Sequence, residues 1–151
     1  MMSAPAHPEP ATTNPEALLG VWELLSFEIE NQDTGQRLPT LGDAPRGRLI
    51  LLRSGQMMTV VTGEGRRVPT SDLERIAAFQ SMIAYSGTFR VEGDEWITTV
   101  DVSWNESWTN TEQRRYFRLK GDRLVVTSAW GESPFEPGQT VRGVLTWERE
   151  A

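Results

Sequence analysis

Residues 48–62 read RLILLRSGQMMTVVT, which is two runs of strand-forming residues joined by a short turn. Arg48 to Arg53 and Gln56 to Thr62 are rich in apolar and β-branched side chains, which favour strands. Only Ser54-Gly55 stands between them, and a glycine-containing link of two residues is typical of a β-hairpin because glycine tolerates a positive φ. This stretch therefore predicts two adjacent antiparallel strands.

Further strand-like runs lie on both sides of this hairpin. Two more tight links, Gly93-Asp94 and Gly121-Asp122, join neighbouring runs, whereas the remaining links are long. The sequence predicts eight strands in all: Val21 to Glu30, Arg48 to Arg53, Gln56 to Thr62, Tyr85 to Glu92, Glu95 to Trp104, Glu112 to Lys120, Arg123 to Ala129 and Val141 to Arg149.

The order of the links predicts the architecture. Long and short links alternate along the chain, so an up-and-down meander places every tight turn at one end and every long loop at the other. Closing such a sheet removes its exposed edges, and an eight-stranded barrel has room for one small ligand. We therefore predict an all-β fold, a single eight-stranded up-and-down antiparallel β-barrel with one open end. A two-sheet sandwich filled by side chains is the alternative.

Two helical segments are expected beside the strands. Asn14-Pro15-Glu16 has an N-cap residue followed by proline, which predicts a short helix that ends near Gly20. Ser71 and Glu74 have the spacing of a capping box and precede apolar residues at helical intervals, which predicts a helix over 71–83. Residues 1–13 are expected to form a disordered tail, and the barrel domain then covers 14–151.

Charge and composition exclude several classes of partner. Fifteen Lys and Arg against 21 Asp and Glu give a net charge of −6, and the basic residues are scattered, so we expect no nucleic-acid partner. No run approaches the roughly 20 apolar residues that span a bilayer, and the N-terminus does not resemble a signal peptide. We expect no membrane partner and a cytoplasmic location, which the absence of cysteine also suits.

Residues for the common catalytic and cofactor chemistries are missing. The one histidine, His7, lies in the tail, which argues against a histidine base, a Ser-His-Asp triad and a histidine metal site. No phosphate-binding or dinucleotide-binding fingerprint occurs. We therefore predict no cofactor and no metal, and the catalytic residues, if the protein is an enzyme, stay unassigned.

Several segments of the chain resemble one known family. They are Leu19 to Ser26, Gly47 to Ile50 with Ser54 to Met57, Ala84 to Phe89, Glu112 to Phe117 with Gly121 to Leu124, and Val144 to Arg149. Together they resemble the lipocalin-like proteins, a bacterial and fungal family related in architecture to lipocalins and fatty-acid-binding proteins. The resemblance implies the barrel; activity has to be argued from the site. Many relatives carry paired histidines where this chain has Thr98 and Thr99, so the resemblance transfers no histidine chemistry.

The seam of the barrel is expected to join Trp22 to Arg149. The first strand begins, and the eighth strand ends, at the end with the tight turns, so these two residues should be neighbours. In lipocalin-type barrels a basic residue packs over such a tryptophan, a cation–π contact that contributes about 0.5–2 kcal/mol. We assign this pair a structural role in barrel closure.

Aromatic residues gather at the predicted open end. They lie at the ends of the fifth and seventh strands or in the loops that follow: Trp104, Trp108, Trp130 and Phe135. Because pockets are lined largely by apolar and aromatic side chains, we interpret them as a rim that binds a flat, apolar ligand. The alternative is that they plug the mouth or pack under the loops. Met58, beside Met57, adds an adaptable wall, although core filling is the more ordinary role for at least one of the two.

The sixth strand predicts a cation inside the barrel. Arg115, Phe117 and Leu119 share one face, and the charged opposite face is the solvated one. An interior guanidinium requires an anion or several acceptors. Its partner is either a ligand carboxylate or enolate, or an internal carboxylate. Glu28 and Asp101 are the candidates for the internal partner, and a bulge in either strand would reverse whether the side chain points inward or outward.

Three functions are compatible with these residues. The first is binding of a small hydrophobic or aromatic molecule in the barrel, with the 71–83 helix and the 105–111 loop as a lid. The second is a cofactor-independent cyclase or isomerase on a polyketide-like intermediate, with Arg115 or Tyr85 polarising a carbonyl and a carboxylate moving a proton. Some relatives lie among genes for such products. The third is an interaction module whose aromatic rim docks another protein or forms a homodimer. In the first function Tyr85 donates its hydroxyl to the ligand, or alternatively bonds a loop carbonyl.

Overall fold

The chain forms strands connected as a continuous antiparallel ladder, as the computed structural model of residues 15–133 and 137–150 describes it. One α-helix, α1, covers Asp72–Gln80. The strands are β1 Gly20–Asn31, β2 Arg37–Leu38, β3 Arg46–Leu51, β4 Gln56–Thr62, β5 Met82–Glu92, β6 Glu95–Ser103, β7 Glu112–Lys120, β8 Arg123–Ser128, β9 Gly131–Glu132 and β10 Thr140–Arg149.

The eight longer strands close into a barrel. Each pairs with its neighbour in chain order, and β1 pairs with β10 from Trp22↔Arg149 to Asn31↔Val141, which closes the ring. The predicted eight-stranded antiparallel barrel is confirmed. The sequence prediction missed β2 and β9, which lengthen the sheet beside β1 and β10. Two residues are too few to show an alternating pattern.

The two ends of the barrel differ as the link lengths predict. Gly93-Asp94 and Gly121-Asp122 are the tight links, and the β3–β4 link is longer than predicted because Leu52 and Arg53 belong to the turn. We call the end with these turns the floor; the 3₁₀ helix Pro15–Leu18 lies there. We call the opposite end, with α1 and the 3₁₀ helix Glu106–Trp108, the mouth.

Both helical predictions need correction. The N-terminal helix is a single 3₁₀ turn over Pro15–Leu18, and α1 ends at Gln80, because β5 already begins at Met82. The capping box is half formed. The Glu74 amide donates to the Ser71 hydroxyl (3.2 Å), but the Glu74 carboxylate accepts from Thr70 rather than from Ser71. The predicted tail, 1–13, lies outside the described residues. Among those that are described, no helix has the length and apolar character to cross a bilayer.

Two bulges decide which side chains face inward. In β1 the register shifts between Leu24 and Ser26, so Leu25 has no partner and the alternation restarts after it. In β6 Asp101 is the extra residue opposite the Ser86/Gly87 step. Gly87 is required there, because a Cβ at this position would lie 1.9 Å from the Thr99 carbonyl oxygen.

A group of fully buried core side chains lies toward the floor. Trp22, Leu18 and Leu124 have no exposed surface, and Leu49 and Leu51 are almost as fully covered. Each buried aliphatic or aromatic side chain contributes about 1.5–3 kcal/mol through its removal from water. The floor is therefore the packed end of the barrel, and the space left inside lies closer to the mouth.

Candidate ligand-binding cavity

A cavity of about 520 Å³ occupies the barrel interior. Trp96, Trp147 and Trp108 line it, and Trp108 belongs to the 3₁₀ helix at the mouth. Most of the remaining wall is apolar and comes from inward-facing residues of many strands: Phe27, Ile29, Leu49, Val61, Ile83, Val126, Val141 and Leu145. The volume lies within the usual range of small-molecule sites, about 300–1,000 Å³. The interior is hollow rather than filled by side chains, which separates this barrel from the sandwich alternative.

Arg115 faces the cavity, as the alternation of β7 predicts. Phe117 and Leu119 on the same face are buried, and Tyr116 and Arg118 on the other face are exposed. The Arg115 guanidinium donates to the backbone carbonyl of Arg114 (2.9 Å) and lies 5.7 Å from the centre of the Trp108 ring. In the described part of the chain it forms no ion pair.

The internal carboxylates considered for Arg115 are not inside. The bulge at Leu25 turns Phe27 and Ile29 inward and leaves Glu28 on the opposite face. Asp101 is exposed and accepts a hydrogen bond from Ser86 on the outer surface (3.1 Å). An internal partner at either position is therefore wrong.

Two hydrogen-bond donors on the cavity wall have no partner among the described residues. The Trp96 side chain is 2% exposed, and its indole N–H is buried without an acceptor. The Tyr85 side chain is 7% exposed and lines the cavity; its hydroxyl makes no hydrogen bond within this part of the chain, but it is not one of the fully buried unpartnered atoms. Leaving a buried donor unsatisfied costs about 1–3 kcal/mol. Trp96 was not predicted as a site residue, although its alternation with Val100 in the fifth predicted strand places it on the inner face.

Aromatic rings connect the mouth helix to the cavity. Phe79 of α1 lies 6.3 Å from the Trp104 ring, Trp104 lies 5.0 Å from Trp108, and Trp108 lies 5.2 Å from Tyr85. Trp108 and Tyr85 line the cavity, whereas Trp104 supports Trp108 from outside it. The indole N–H of Trp104 is buried and unpartnered. Phe79 was missed as a contact of this group, although its helical spacing marked it as apolar.

Three other predicted site residues do not line the cavity. Met58 is 53% exposed on the outer surface, while Met57 faces inward and is buried. Trp130 lies outside the barrel under the guanidinium of Arg142, 4.4 Å from its ring centre, because it falls in the interruption between β8 and β9. Phe117 is buried against Trp96 (6.3 Å) and supports the wall without lining it. Phe135 lies outside the described residues.

The positions that match the histidine pair of relatives lie on opposite faces. Thr98 is fully buried and its hydroxyl has no partner, whereas Thr99 is exposed. Among residues 15–133 and 137–150, no group of three His, Cys, Asp or Glu side chains is arranged to hold a metal ion.

The seam at the floor has the predicted pair. Trp22 is paired with Arg149 across β1 and β10, and the guanidinium carbon lies 4.2 Å from the ring centre. The Trp22 indole donates to the Leu18 carbonyl (2.9 Å), and Arg149 donates to the carbonyls of Ala17 and Leu19. Gly20 makes room for Arg149, since a Cβ there would lie 3.1 Å from the guanidinium. The pair fastens the 3₁₀ helix to the seam.

Comparison with known proteins places the chain in a family. The family model described as a lipocalin-like domain matches residues 19–150. The crystal structure of Echinococcus granulosus fatty-acid-binding protein 1 is similar at 16% identity with a TM-score of 0.40, over 90% of this chain and 99% of that one. No curated protein matches the sequence. Because the family match runs from the start of β1 to the end of β10, this chain belongs to the lipocalin-like domain family.

Proposed function

We propose that the protein binds a small, mainly apolar organic molecule inside its barrel. The observation that carries this proposal is the cavity of about 520 Å³, whose wall is largely aliphatic and aromatic. Transfer of an apolar molecule from water into such a space stabilises the complex by roughly 25 cal/mol per Å² of apolar surface removed. Tyr85, Trp108 and Arg115 are the predicted binding residues that the cavity wall contains.

Helix α1 and the 105–111 segment are proposed as the lid. No residue of α1 is buried, and its apolar residues Leu73, Ile76 and Phe79 are all about half exposed or more. It is connected to the cavity by aromatic contacts, from Phe79 to Trp104 and from Trp104 to Trp108. A segment with few buried apolar contacts opens at low free-energy cost, which suits it to gating the entry of a ligand.

The enzymatic alternative is not carried further. The carboxylates considered for its proton transfer, Glu28 and Asp101, face away from the cavity. Of the two carboxylates that do line it, Glu112 is paired with Arg90 (2.9 Å) and Glu132 is exposed. The aromatic rim is likewise a weak docking surface, because Trp104 and Trp108 pack on each other. A homodimer and a cytoplasmic location remain predictions, to be checked by sedimentation and by cell fractionation.

Displacement of an environment-sensitive dye, 1-anilinonaphthalene-8-sulfonate, tests the proposal. Leu145→Trp fills the cavity from its wall, and Val102→Trp adds the same side chain on the outer surface, where Val102 is 65% exposed. We expect dye affinity to fall at least tenfold, about 1.4 kcal/mol, in the first variant and to stay unchanged in the second. Circular dichroism verifies that both variants fold. Equal dye binding by the wild type and both variants would exclude the cavity as the site.

A further inference from the structure

We propose that the bound molecule is an apolar carboxylic acid whose carboxylate is held by Arg115 and the indole N–H of Trp96. This inference rests on the proposed function and names the class of ligand. Its basis is a pair of neighbouring residues on the cavity wall: Trp96, whose indole N–H has no acceptor in the described part of the chain, and Arg115, which forms no ion pair there.

The sheet register brings the two donors together. Trp96 of β6 is the direct cross-strand partner of Arg115 of β7, and both line the cavity. Directly opposed residues of an antiparallel pair have Cβ atoms about 4.5–5.5 Å apart. The register therefore places the two side chains next to each other on the cavity wall.

Trp96 and Arg115 differ in how many of their N–H groups lack an acceptor. The Trp96 indole has a single N–H, which is buried and unpartnered. The Arg115 guanidinium has five N–H groups, and its hydrogen bond within the described residues is to the Arg114 carbonyl. Tyr85 lines the same cavity, and its ring and the Arg115 guanidinium both contact the Trp108 ring, at 5.2 and 5.7 Å.

Arg90, on the outer surface, has the carboxylate partners that Arg115 lacks. Arg90 donates to Glu112 (2.9 Å) and lies 3.4 Å from Glu92, and these contacts raise the pKa of its guanidinium above the ordinary value. Arg115 has no such carboxylate in the described part of the chain. A cation that faces an apolar space is stabilised by an anion brought in from solution.

The chemistry of the site favours a carboxylate over other acceptors. A planar guanidinium binds the two oxygens of a carboxylate side by side, and a charged acceptor strengthens each hydrogen bond. The charged residues of the lining are three arginines, Arg114, Arg115 and Arg142, and two carboxylates, Glu112 and Glu132, so one added negative charge balances them and a doubly charged phosphate exceeds that balance. The apolar wall then receives the hydrocarbon or aromatic part of the same molecule.

The test compares acids with their own methyl esters. Dodecanoic acid, 2-naphthylacetic acid and the methyl ester of each are titrated into the full chain by calorimetry at pH 7. We expect at least one acid to bind at least tenfold more tightly than its ester. Arg115→Met should remove this preference, whereas Arg118→Met, on the exposed face of the same strand, should retain it and leave ester affinity unchanged.

A second measurement reports on Trp96 directly. In a ¹H–¹⁵N spectrum the indole resonance of Trp96, assigned with Trp96→Phe, should shift downfield with the acid and not with the ester. The inference is overturned if acid and ester bind equally to the wild type, if the preference survives Arg115→Met, or if the dye binds and no acid does. Failure of dye, acids and esters alike would overturn the proposed function as well.

Discussion

The barrel contains an arginine over a tryptophan at each end, and the two pairs are in opposite states. At the floor, the Arg149 guanidinium lies 4.2 Å from the ring centre of Trp22, which is fully buried, and both side chains donate to backbone carbonyls. At the mouth, Arg115 lies 5.7 Å from the partly exposed Trp108, and its hydrogen bond goes to the preceding residue. The same residue types stabilise the fold at one end and leave binding capacity unused at the other.

Truncating one tryptophan at each end is the strongest test of this contrast. Trp22→Ala should lower the free energy of unfolding by about 3–5 kcal/mol, because it opens a void among fully buried side chains. Trp108→Ala should cost about 1 kcal/mol, because its ring lies at the edge of a space that is already hollow. Urea titration measures both. Equal losses would show that the two ends are not energetically distinct.

Removing Arg149, the cation at the floor, tests whether this pair acts only on stability. Arg149→Met is expected to cost about 1–2 kcal/mol through the lost contact with Trp22 and should leave dye binding in the cavity unchanged. The matched control is Arg123→Met, which removes a half-exposed ion pair with Glu148 (3.7 Å) and should stay within about 0.5 kcal/mol of the wild type. A change in dye affinity in Arg149→Met would contradict a purely structural role.

Thr98 is a buried residue of β6 with an unpartnered hydroxyl. Its buried hydroxyl has no partner, so Thr98→Val should raise the free energy of unfolding by about 1 kcal/mol. Thr99→Val, on the exposed face, is the control and should change it little. Thermal denaturation followed by circular dichroism compares the three proteins. A loss of stability in Thr98→Val would mean that the hydroxyl has an acceptor, such as a bound water.

The smallest effect is expected in the lid helix. Hydrogen bonds from Thr70, the backbone amide first, lower the pKa of Glu74 below its ordinary value of 4.5. A carboxyl group whose pKa is lower in the folded state stabilises that state above its unfolded pKa, and this contribution is lost as the pH falls through the folded pKa. NMR chemical shifts of 72–80 should therefore show fraying of α1 below about pH 4.5. Glu74→Gln should remove this pH dependence, and Glu23→Gln, in β1, should not.

The local sequence pattern predicted the strands well because each strand carries its own alternation. The β7 pattern placed Arg115 inside, and the turn residues at Gly93-Asp94 and Gly121-Asp122 fixed two hairpins. The order of long and short links then predicted which end is open. These features depend on neighbouring residues alone, so a single sequence is enough to find them.

The site was harder to predict, because which side chains face the cavity depends on how the backbones of neighbouring strands pair. Parity counted through Asp101 places Trp104 with Val100, but the bulge there moves Trp104 off the inner face. Trp130 leaves the rim for a similar reason, since it lies in the interruption between β8 and β9. The sequence of β4 alone does not show whether Met57 or Met58 faces inward. The pairing of β4 with β3 and β5 settles this. An unpaired residue in a ladder leaves no mark in the hydrophobic pattern that distinguishes it from a paired one.

The extra residue at Leu25 divides β1 into two independently phased halves. Trp22 and Leu24 belong to the half that seals the seam, and Phe27 and Ile29 belong to the half that walls the cavity. If Leu25 were instead paired in a regular ladder, the second half would be reversed relative to the first, and Glu28 and Glu30 would face the cavity. The bulge thus lets the upper half of the strand present apolar side chains to the cavity while the lower half keeps Trp22 and Leu24 in the core.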